Sequence, residues 1–282
     1  METNRHLVFQ SDFGLVDGAV AAMTGVALSV DIDLHIHDLT HNIPPFDTYE
    51  ASFRLLQTVP FWPKGTVFVS VVDPGVGSRR KSLVVLTKSG HYIVTPNNGT
   101  LTHILHYVGI EEAREIKESV GRRKDSEESY TFHGRDVFAY TGALLASGQI
   151  AFKDIGRKVS ESSLIEIEGT QASFSKNRIT GAIETLDVRF GSLWTNIPKA
   201  MFDKLKLKHK DEVELVIYNG KTLAYRSIIR YVHTFAEVDV GEVLCYVNSM
   251  NYIGVAINQG NFASAYNIGT REPWHIEFIK RK

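Results

Sequence analysis

Hydrophobic and polar positions follow two alternating patterns in the first half of the chain. Short apolar runs such as "HLVFQ" and "GTVFVSVVD" predict buried strands. Between the first two such runs, a helix is predicted to start at Asp17, because apolar residues recur there at helical spacing. These residues are Val20, Met23, Ala27 and Val30. Strands that alternate with helices predict an α/β domain with a mostly parallel sheet.

The pattern changes after about residue 160, where helical periods become rare. Short strand-like runs such as "EVELVIY" and "TLAYRSIIR" follow one another, and Asn219-Gly220 between them is typical of a two-residue hairpin. This half therefore predicts a small antiparallel β-barrel or sandwich. The predicted domains are an α/β domain at 1–160, a linker at 161–177 and a β-barrel domain at 178–282.

Composition narrows the class of protein. The 282 residues are enough for two domains, and the formal net charge of −1 lacks the basic excess of nucleic-acid-binding proteins. The densest charge run, Lys117 to Ser129, mixes both signs and predicts a solvated surface loop. Cys245 lies in an apolar run and predicts core packing in a reducing compartment. With no signal-peptide pattern and no long apolar run, we expect a cytoplasmic protein without a membrane span.

Polar residues follow several of the predicted strands directly, and these junctions are the candidate site. Ligands of open parallel sheets bind at the carboxyl ends of the strands, where Asp12, Asp73 and Asn98 are expected. His133 precedes a predicted helix and is expected near its N-terminus. The chain has no P-loop, no dinucleotide-binding glycine pattern and no GxSxG motif. His35 and His37 would share a strand face, but no metal-binding pattern accompanies them, so we expect no metal.

Seven longer motifs resemble, in the same order, those of the S-adenosyl-L-methionine (SAM) hydroxide adenosyltransferases, also called adenosine-forming SAM hydrolases. This family is related to fluorinase and chlorinase. The resemblance runs from about residue 8 to about residue 262. The motifs are "SDFGLVDGAVAAMTG", "DLTHNIPPFD", "FWPKGTVFVSVVDPGVGSRR", "TPNNGTLT", "TFHGRDVFA", "FGSLWTNI" and "VNSMNYIGVAINQG".

The resemblance implies an N-terminal α/β domain, a C-terminal β-barrel and a homotrimer with active sites at subunit interfaces. It implies that SAM is a substrate rather than a cofactor, and that water converts it to adenosine and methionine. The family's catalytic set maps onto Asp73, Arg80 and His133. Substrate-binding positions map onto Asp12 for the ribose, onto Asp17, Asp187 and Ser249 for the methionine part, and onto Phe46, Phe132, Phe190 and Phe235 around the nucleoside, with Asn98 as a further lining candidate.

Two positions separate the hydrolases from the halogenating relatives. Those relatives carry an uncharged residue at the position of Asp73 and a serine at that of Gly134, and fluorinase has an insertion between "VVLTKS" and "HYIVTP". A carboxylate would repel a halide nucleophile, so Asp73 favours hydrolysis. At Met250 and Ser192 the chain departs from its relatives, which leaves the adenine contacts open. Adenosyl transfer to a halide or another small nucleophile, or SAM binding without turnover, are the alternatives.

The chemistry of SAM explains why this residue set suits hydrolysis. The sulfonium leaves without an acid, so the site must provide an oxygen nucleophile in line behind the C5′–S bond. An arginine lowers the free energy of hydroxide-like charge on a bound water, and a histidine or aspartate can accept its proton. From the sequence we slightly favour His133 as the acceptor, with Asp73 orienting the water and Arg80.

Overall fold

The computed structural model describes residues 4–281, and the chain divides into two units, the first ending at Ile167 and the second beginning at Glu168. Each unit has its own sheet and its own hydrophobic core. None of the helices among the described residues combines the length and the apolar character that a membrane span needs. Residues 161–177, assigned to a linker above, include a 3₁₀ turn at Glu161–Ser163 and a short strand at Ser173–Ser175.

The first unit contains a seven-stranded sheet in the spatial order β2-β1-β3-β5-β4-β6-β7. The strands are β1 His6–Ser11, β2 His35–Thr40, β3 Val67–Val71, β4 Ser82–Thr87, β5 Tyr92–Pro96, β6 Ile110–Ile116 and β7 Gly156–Val159. The first four in this order pair in parallel, as predicted, whereas β4, β6 and β7 pair antiparallel. The α/β class is therefore confirmed, with the parallel strands grouped at one side of the sheet.

Helices cover both faces of this sheet because its strands are apolar on both faces. Leu7 and Phe9 of β1 pack in one core with Met23, while Val8 packs on the other side with Leu55. The helices are α1 Ala19–Val30, α2 Thr48–Thr58, α3 Thr102–Tyr107, α4 Glu118–Gly121, a π-helical segment Gly134–Ala139 and α5 Tyr140–Ala146.

Local capping interactions fix where the first two helices begin. α1 begins two residues later than predicted, and the carboxylate of Asp17 accepts a hydrogen bond from the backbone N–H of Ala19 at 2.9 Å. Asp47 caps α2 by accepting a hydrogen bond from the N–H of Glu50 at 2.9 Å, as the sequence predicts.

The second unit is a closed seven-stranded barrel, which confirms the predicted barrel. Its strands are β9 Arg178–Leu186, β10 Leu193–Pro198, β11 Glu212–Asn219, β12 Thr222–Tyr231, β13 Val243–Val247, β14 Tyr252–Ile257 and β15 Trp274–Lys280, with β8 Ser173–Ser175 attached to β9 and short helices α6 Lys199–Phe202 and α7 Phe262–Tyr266. All neighbouring pairs are antiparallel except β12 and β13, which run parallel.

Two smaller predictions in this unit are confirmed. β11 and β12 form a hairpin whose two loop residues are Gly220 and Lys221, and Gly220 has the positive φ of 58° that such a turn favours. Cys245 is fully buried in the barrel core, where burial raises the pKa of its thiol.

Candidate active site

A cleft lies at the carboxyl ends of the parallel strands β1 and β3. It has a volume of about 280 Å³ and is lined by Asp12, Phe13, Pro45, Phe46, Val71, Asp73, Val76, Thr131, Phe132, His133 and Gly134. Five of the residues predicted above for a site line this one cleft: Asp12, Phe46, Asp73, Phe132 and His133. The carboxyl edge of a parallel sheet is where such a site is expected, because polar residues there face space that the neighbouring strands leave open.

Asp73 and Arg80 form a two-pronged ion pair beside this cleft. Asp73 follows the end of β3, and Arg80 Nε donates to its Oδ1 at 2.8 Å while Arg80 Nη2 donates to its Oδ2. Arg80 Nη1 donates to Ser82 Oγ at 2.8 Å, which fixes the third nitrogen of the guanidinium. The side chains are only 6% and 9% exposed. This geometry holds both the carboxylate and the guanidinium in fixed directions.

The loop between the two residues returns to the strand end through consecutive turns. The N–H of Val76 donates to the carbonyl of Asp73 at 3.2 Å, and the N–H of Ser78 donates to that of Gly75 at 3.0 Å. Gly77 has a φ of +76°, and a Cβ at this position would lie 3.2 Å from the carbonyl oxygen of Tyr130. A glycine is thus favoured here both by backbone conformation and by space.

His133 connects this pair to a second arginine. Its Nδ1 lies 3.0 Å from Arg80 Nη2, and its Nε2 lies 3.0 Å from Arg122 Nη2. The residue directly precedes the π-helical segment Gly134–Ala139, and its side chain is buried. Burial, followed by the positive charges of Arg80 and Arg122, lowers the pKa of His133 below that of an ordinary histidine. The imidazole is therefore neutral at physiological pH.

Arg122 corrects the sequence-based interpretation of the charged run from Lys117 to Ser129 as a solvated loop. It is only 8% exposed, and its Nε donates to Glu118 Oε2 at 2.8 Å. Its Nη1 lies 3.3 Å and 3.4 Å from the carbonyl oxygens of Ser126 and Ser129. In a run of mixed charges, the sequence does not distinguish a buried arginine from a solvent-exposed one. The sequence analysis missed this residue of the site.

Asp12 and Phe46 form another wall of the cleft. The N–H of Phe46 donates to Asp12 Oδ2 at 2.8 Å, so one carboxylate oxygen is held in place by the backbone. Phe46 has a φ of +68° and a side chain that is 70% exposed. A bulky residue in the left-handed region costs about 1–3 kcal/mol. The hydrogen bond to Asp12 thus accompanies a strained backbone position whose aromatic ring lies exposed at the cleft wall.

Phe132 and Gly134 form the aromatic side of the cleft. The rings of Phe13 and Phe132 meet edge to face with their centroids 5.7 Å apart. A Cβ on Gly134 would lie 3.1 Å from the Phe13 ring and 3.2 Å from the Phe132 ring. Gly134 thus lets the two rings approach each other behind His133.

Asn98 and Asp17 lie outside the cleft lining. Asn98 Nδ2 donates to the carbonyl oxygen of Val72 at 2.8 Å, so it supports the strand end that carries Asp73. Asp17 is exposed at the start of α1. Asn98 therefore lies beside the strand end that carries Asp73, outside the lining of this cleft.

The other four predicted binding residues belong to the second unit. Asp187 and Phe190 lie in the turn between β9 and β10, where the N–H of Asp187 donates to the carbonyl of Ser192 at 2.9 Å. Phe235 packs its ring 5.0 Å from that of Tyr246, and Ser249 is exposed in the loop after β13.

Tyr246 is a residue of this group that the sequence analysis did not single out. Burial raises the pKa of its phenol. A Cβ on Gly254 in the paired strand would lie 2.8 Å from the Tyr246 ring, so Gly254 makes room for it. Tyr246 thereby supports the ring of Phe235 on the side of strand β13.

No cluster of three or more histidine, cysteine or acidic side chains suited to a metal ion occurs within residues 4–281. His37 instead meets His6 at 3.1 Å and packs its ring 4.9 Å from that of Trp62. His41 lies between Ser11 Oγ at 2.6 Å and Asp38 Oδ1 at 3.0 Å, in the segment that precedes the cleft wall. These contacts account for His37 and His41 of the "HIHDLTH" segment.

Comparison with known proteins was made against protein families, curated proteins and solved structures. Residues 7–156 match the N-terminal domain of the SAM hydroxide adenosyltransferases, and residues 181–275 match the C-terminal domain of the same family. A curated relative, the (R)-S-adenosyl-L-methionine hydrolase of Methanocaldococcus jannaschii, is 32% identical over 93% of this chain and 92% of its own. A fluorinase of Actinoplanes sp. is 28% identical over 94% of this chain and 95% of its own.

A solved structure shares the fold along nearly the whole chain. The crystal structure of an uncharacterised conserved protein from Thermotoga maritima is 30% identical, with a TM-score of 0.89, and the alignment covers 97% of this chain and 100% of that one. Sequence and fold thus agree over both units.

Proposed function

This chain belongs to the SAM hydroxide adenosyltransferase family, and on that premise we propose that it hydrolyses SAM to adenosine and L-methionine. The observation that carries the proposal is the Asp73–Arg80–His133 cluster at the edge of a 280 Å³ cleft. The cluster provides a fixed carboxylate and a fixed cation at one wall. Aromatic side chains occupy the neighbouring wall, where a nucleoside can pack.

The proposed substrate position uses the remaining cleft residues. Asp12 has one oxygen held by the N–H of Phe46, which leaves the other for the ribose hydroxyls. Phe46 and Phe132 flank the nucleoside, while Asp17 is available to the amino group of the methionine part. We assign Asp187, Phe190, Phe235 and Ser249 of the barrel unit to the same substrate. Following the family resemblance, we propose a homotrimer in which the barrel of a neighbouring subunit contributes these four residues.

The proposed reaction is an in-line displacement at the ribose C5′. The oxygen of a water molecule forms a bond to C5′ as the C5′–S bond breaks. The electron pair of the C5′–S bond stays on sulfur, so the sulfonium becomes the neutral thioether of methionine. Because the sulfonium is a good leaving group, no acid and no cofactor are needed in this step. The nucleophile must lie about 3–3.5 Å from C5′ on the side opposite sulfur. Arg80 stabilises the negative charge that develops on the attacking oxygen.

The proton of the water goes to Asp73 in our proposal, and then to solvent. His133 is the less suitable acceptor because both of its ring nitrogens face arginine nitrogens at 3.0 Å. An imidazolium there would lie between two positive charges. Asp73, in contrast, lines the cleft and keeps lone pairs available on both oxygens besides those that bind Arg80. This assignment differs from the preference for His133 drawn from the sequence alone.

The proposed setting is the cytoplasm, where SAM is made available to enzymes and where the lone buried Cys245 stays reduced. Adenosyl transfer to halide is the competing activity, since fluorinase relatives match the chain. The ionised Asp73 disfavours a halide at the position of the attacking oxygen, because two negative charges would be adjacent.

Product analysis tests the proposal. The purified protein is incubated with SAM, with and without added fluoride or chloride, and the products are separated by chromatography and identified by mass spectrometry. We expect adenosine and methionine in equal amounts, with rates that do not depend on halide. A halogenated nucleoside would instead support adenosyl transfer to halide. Binding of SAM without any product would support a SAM-binding protein that does not turn over.

A further inference from the structure

His133 lies between two guanidinium groups that approach opposite nitrogens of its ring. Arg80 lies in the loop after β3, and Arg122 is the residue that directly follows α4. Asp73 binds Arg80, and no catalytic role has been given above to Arg122. The question is what a second buried arginine does on the far side of this histidine.

Hydrogen-bond chemistry limits the states that His133 can adopt. A guanidinium has five N–H donors and no acceptor, while a neutral imidazole has one acceptor nitrogen and one N–H. A neutral ring can therefore accept a hydrogen bond from one of the two arginines. A protonated ring has no acceptor, so it would lose that hydrogen bond and add a third positive charge to the cluster. The arrangement therefore selects the neutral ring.

The other groups around His133 do not offset this selection. Asp73 is already bound to Arg80 by both oxygens, and Glu118 is bound to Arg122 with its side chain 47% exposed. The ring of Tyr130 lies 6.0 Å from the imidazole and presents an edge-to-face contact. Each carboxylate near the ring is therefore paired with an arginine, and the net charge facing His133 is set by whether both arginines are present.

Arg122 also fixes the segment that covers the ring. Its Nη1 reaches the carbonyl oxygens of Ser126 and Ser129, and its guanidinium lies 4.9 Å from the centroid of the Tyr130 ring. The carbonyl oxygen of Tyr130 in turn faces Gly77 in the loop that carries Arg80. One buried side chain thus joins the covering segment to the imidazole.

We propose that Arg122 is a positioning residue of the reaction: its positive charge on the side of the ring opposite Arg80 keeps the imidazole neutral, so that His133 can accept a hydrogen bond from Arg80 and does not carry the proton lost by the attacking water. The role in the reaction rests on the proposed function, but the effect of Arg122 on the protonation of His133 does not. The two parts can therefore be tested separately.

The direct test is an NMR titration of the His133 ring nitrogens in the ligand-free protein, with its signals assigned by their loss in His133→Asn. Arg122→Gln removes the charge, and Arg123→Gln is the matched control, because Arg123 is the adjacent arginine and binds Asp136 instead. We expect the pKa of His133 to rise by about one unit in Arg122→Gln, the usual size for losing a neighbouring charge, and to stay unchanged in Arg123→Gln.

A second variant covers the case in which Arg122→Gln does not fold. Arg122→Met removes the same charge with an apolar side chain of similar length, so a rise of similar size in the pKa of His133 supports the proposal. An unchanged His133 titration in every folded Arg122 variant would overturn it. An equal rise in Arg123→Gln would also overturn it, since the effect would then belong to the segment rather than to Arg122.

The kinetic test follows kcat/KM for SAM from pH 5.5 to pH 9 in the same variants. In Arg122→Gln we expect the acidic limb to move up by about one pH unit, so that activity at low pH falls roughly tenfold more than activity at high pH. A merely structural role would lower activity equally at all pH values and would contradict the proposal. If neither the unaltered protein nor any variant hydrolyses SAM, the proposed function is wrong. The NMR titration of His133 then still shows whether Arg122 keeps the imidazole neutral.

Discussion

The first unit contains two buried clusters of a carboxylate with arginine, and the two differ in what surrounds them. Asp73 is bound by Arg80, and Asp136 is bound by both Arg123 and Arg135. The two carboxylate side chains are 6% and 0% exposed. By sequence and by charge pairing alone they would look equally important.

The surroundings decide which cluster can do chemistry. Asp136 Oδ1 accepts from Arg123 Nε at 3.1 Å and from Arg135 Nε at 2.8 Å, while its Oδ2 accepts from Arg135 Nη2 at 2.8 Å. It is not among the residues that line the cleft described above, and its carboxylate joins the π-helical segment to the segment after α4. Asp73 lines the cleft and has His133 beside its arginine. Both carboxylates are ion-paired, so ion pairing does not distinguish the two clusters. The proposed catalytic cluster differs because its carboxylate lines the cleft and because a neutral histidine lies beside its arginine.

The largest expected effect comes from removing the charge of each carboxylate in turn. Asp73→Asn is expected to lower kcat for SAM hydrolysis by about 10²–10⁴, the usual scale for a positioned acid–base group. Asp136→Asn should leave kcat per folded molecule within about tenfold, because this side chain does not meet the cleft. Steady-state kinetics corrected for the folded fraction checks both. Comparable losses of kcat in the two variants would mean that the clusters do not differ in function.

The stability of the same two variants should show the opposite order. Asp136→Asn weakens three hydrogen bonds that two arginines donate to a fully buried carboxylate, and because these arginines are 38% and 31% exposed we expect a loss of about 1–3 kcal/mol in the free energy of unfolding. Asp73→Asn should cost less, because Asp73 accepts two hydrogen bonds from one arginine whereas Asp136 accepts three from two. Chemical denaturation followed by circular dichroism measures both values. A greater loss in Asp73→Asn would show that its pair is chiefly a structural one.

An arginine-to-lysine pair of variants sharpens the comparison at smaller effect. Arg80→Lys keeps the charge but loses the two-pronged hydrogen bonds to Asp73, so we expect kcat to fall by about 10–10², somewhat less than for removing a charge-stabilising donor altogether. Arg135→Lys is the matched control at Asp136 and should leave kcat unchanged. Equal kcat values for Arg80→Lys and the unaltered protein would argue against charge stabilisation by the guanidinium fork.

The smallest expected effect is the pH dependence of stability, which should fall in two separate windows. The pKa of His133 is lowered, so the unfolded chain binds more protons than the folded one below the ordinary histidine pKa of about 6.5. Stability should therefore decrease as pH falls through this range, by at most about 1.4 kcal/mol per pH unit, and His133→Gln should abolish that part. Denaturation at a series of pH values provides the measurement, and an identical profile in His133→Gln would contradict it.

The window of Asp136 lies at more acidic pH. Burial raises the pKa of this carboxyl, but the hydrogen bonds from Arg135 and Arg123 outweigh burial, and the net shift is downward. Its contribution to stability is therefore present at neutral pH and is lost as pH falls below the ordinary range for aspartate. In Asp136→Asn the free energy of unfolding should depend less on pH in this acidic range and be unchanged in its dependence near pH 6.5. One series of denaturation measurements therefore distinguishes the contributions of the two clusters.

Much of this site could be predicted from the sequence, because its residues follow apolar strands directly. Asp12 and Asp73 come after β1 and β3, and the Asp73–Arg80 contact and His133 are where the motifs suggest. Helical spacing likewise identified α1, and the turn residues identified the hairpin at Gly220. In each case the signal lies within a few residues of the feature that it predicts.

The features that the sequence analysis missed depend on contacts between distant residues. Arg122 is buried with its nitrogens beside Glu118, His133 and two backbone carbonyl oxygens, and a run of mixed charges does not reveal such contacts. Strand β6 carries several charged residues and pairs antiparallel with β4. In the barrel, β12 and β13 pair in parallel, whereas the other neighbouring strands pair antiparallel. The left-handed backbone of Phe46 occurs together with a hydrogen bond to Asp12, which lies 34 residues earlier in the chain. None of these has a local pattern.

The central claim is that water attacks C5′ of SAM beside Asp73 and Arg80. It is tested most directly by incubating the protein with SAM in ¹⁸O-enriched water and analysing the products by mass spectrometry, with Asp73→Asn as the control. We predict adenosine that carries ¹⁸O at its 5′ oxygen, methionine without the label, and almost no product from the control. Methylthioadenosine, unlabelled adenosine or unchanged SAM would contradict the account.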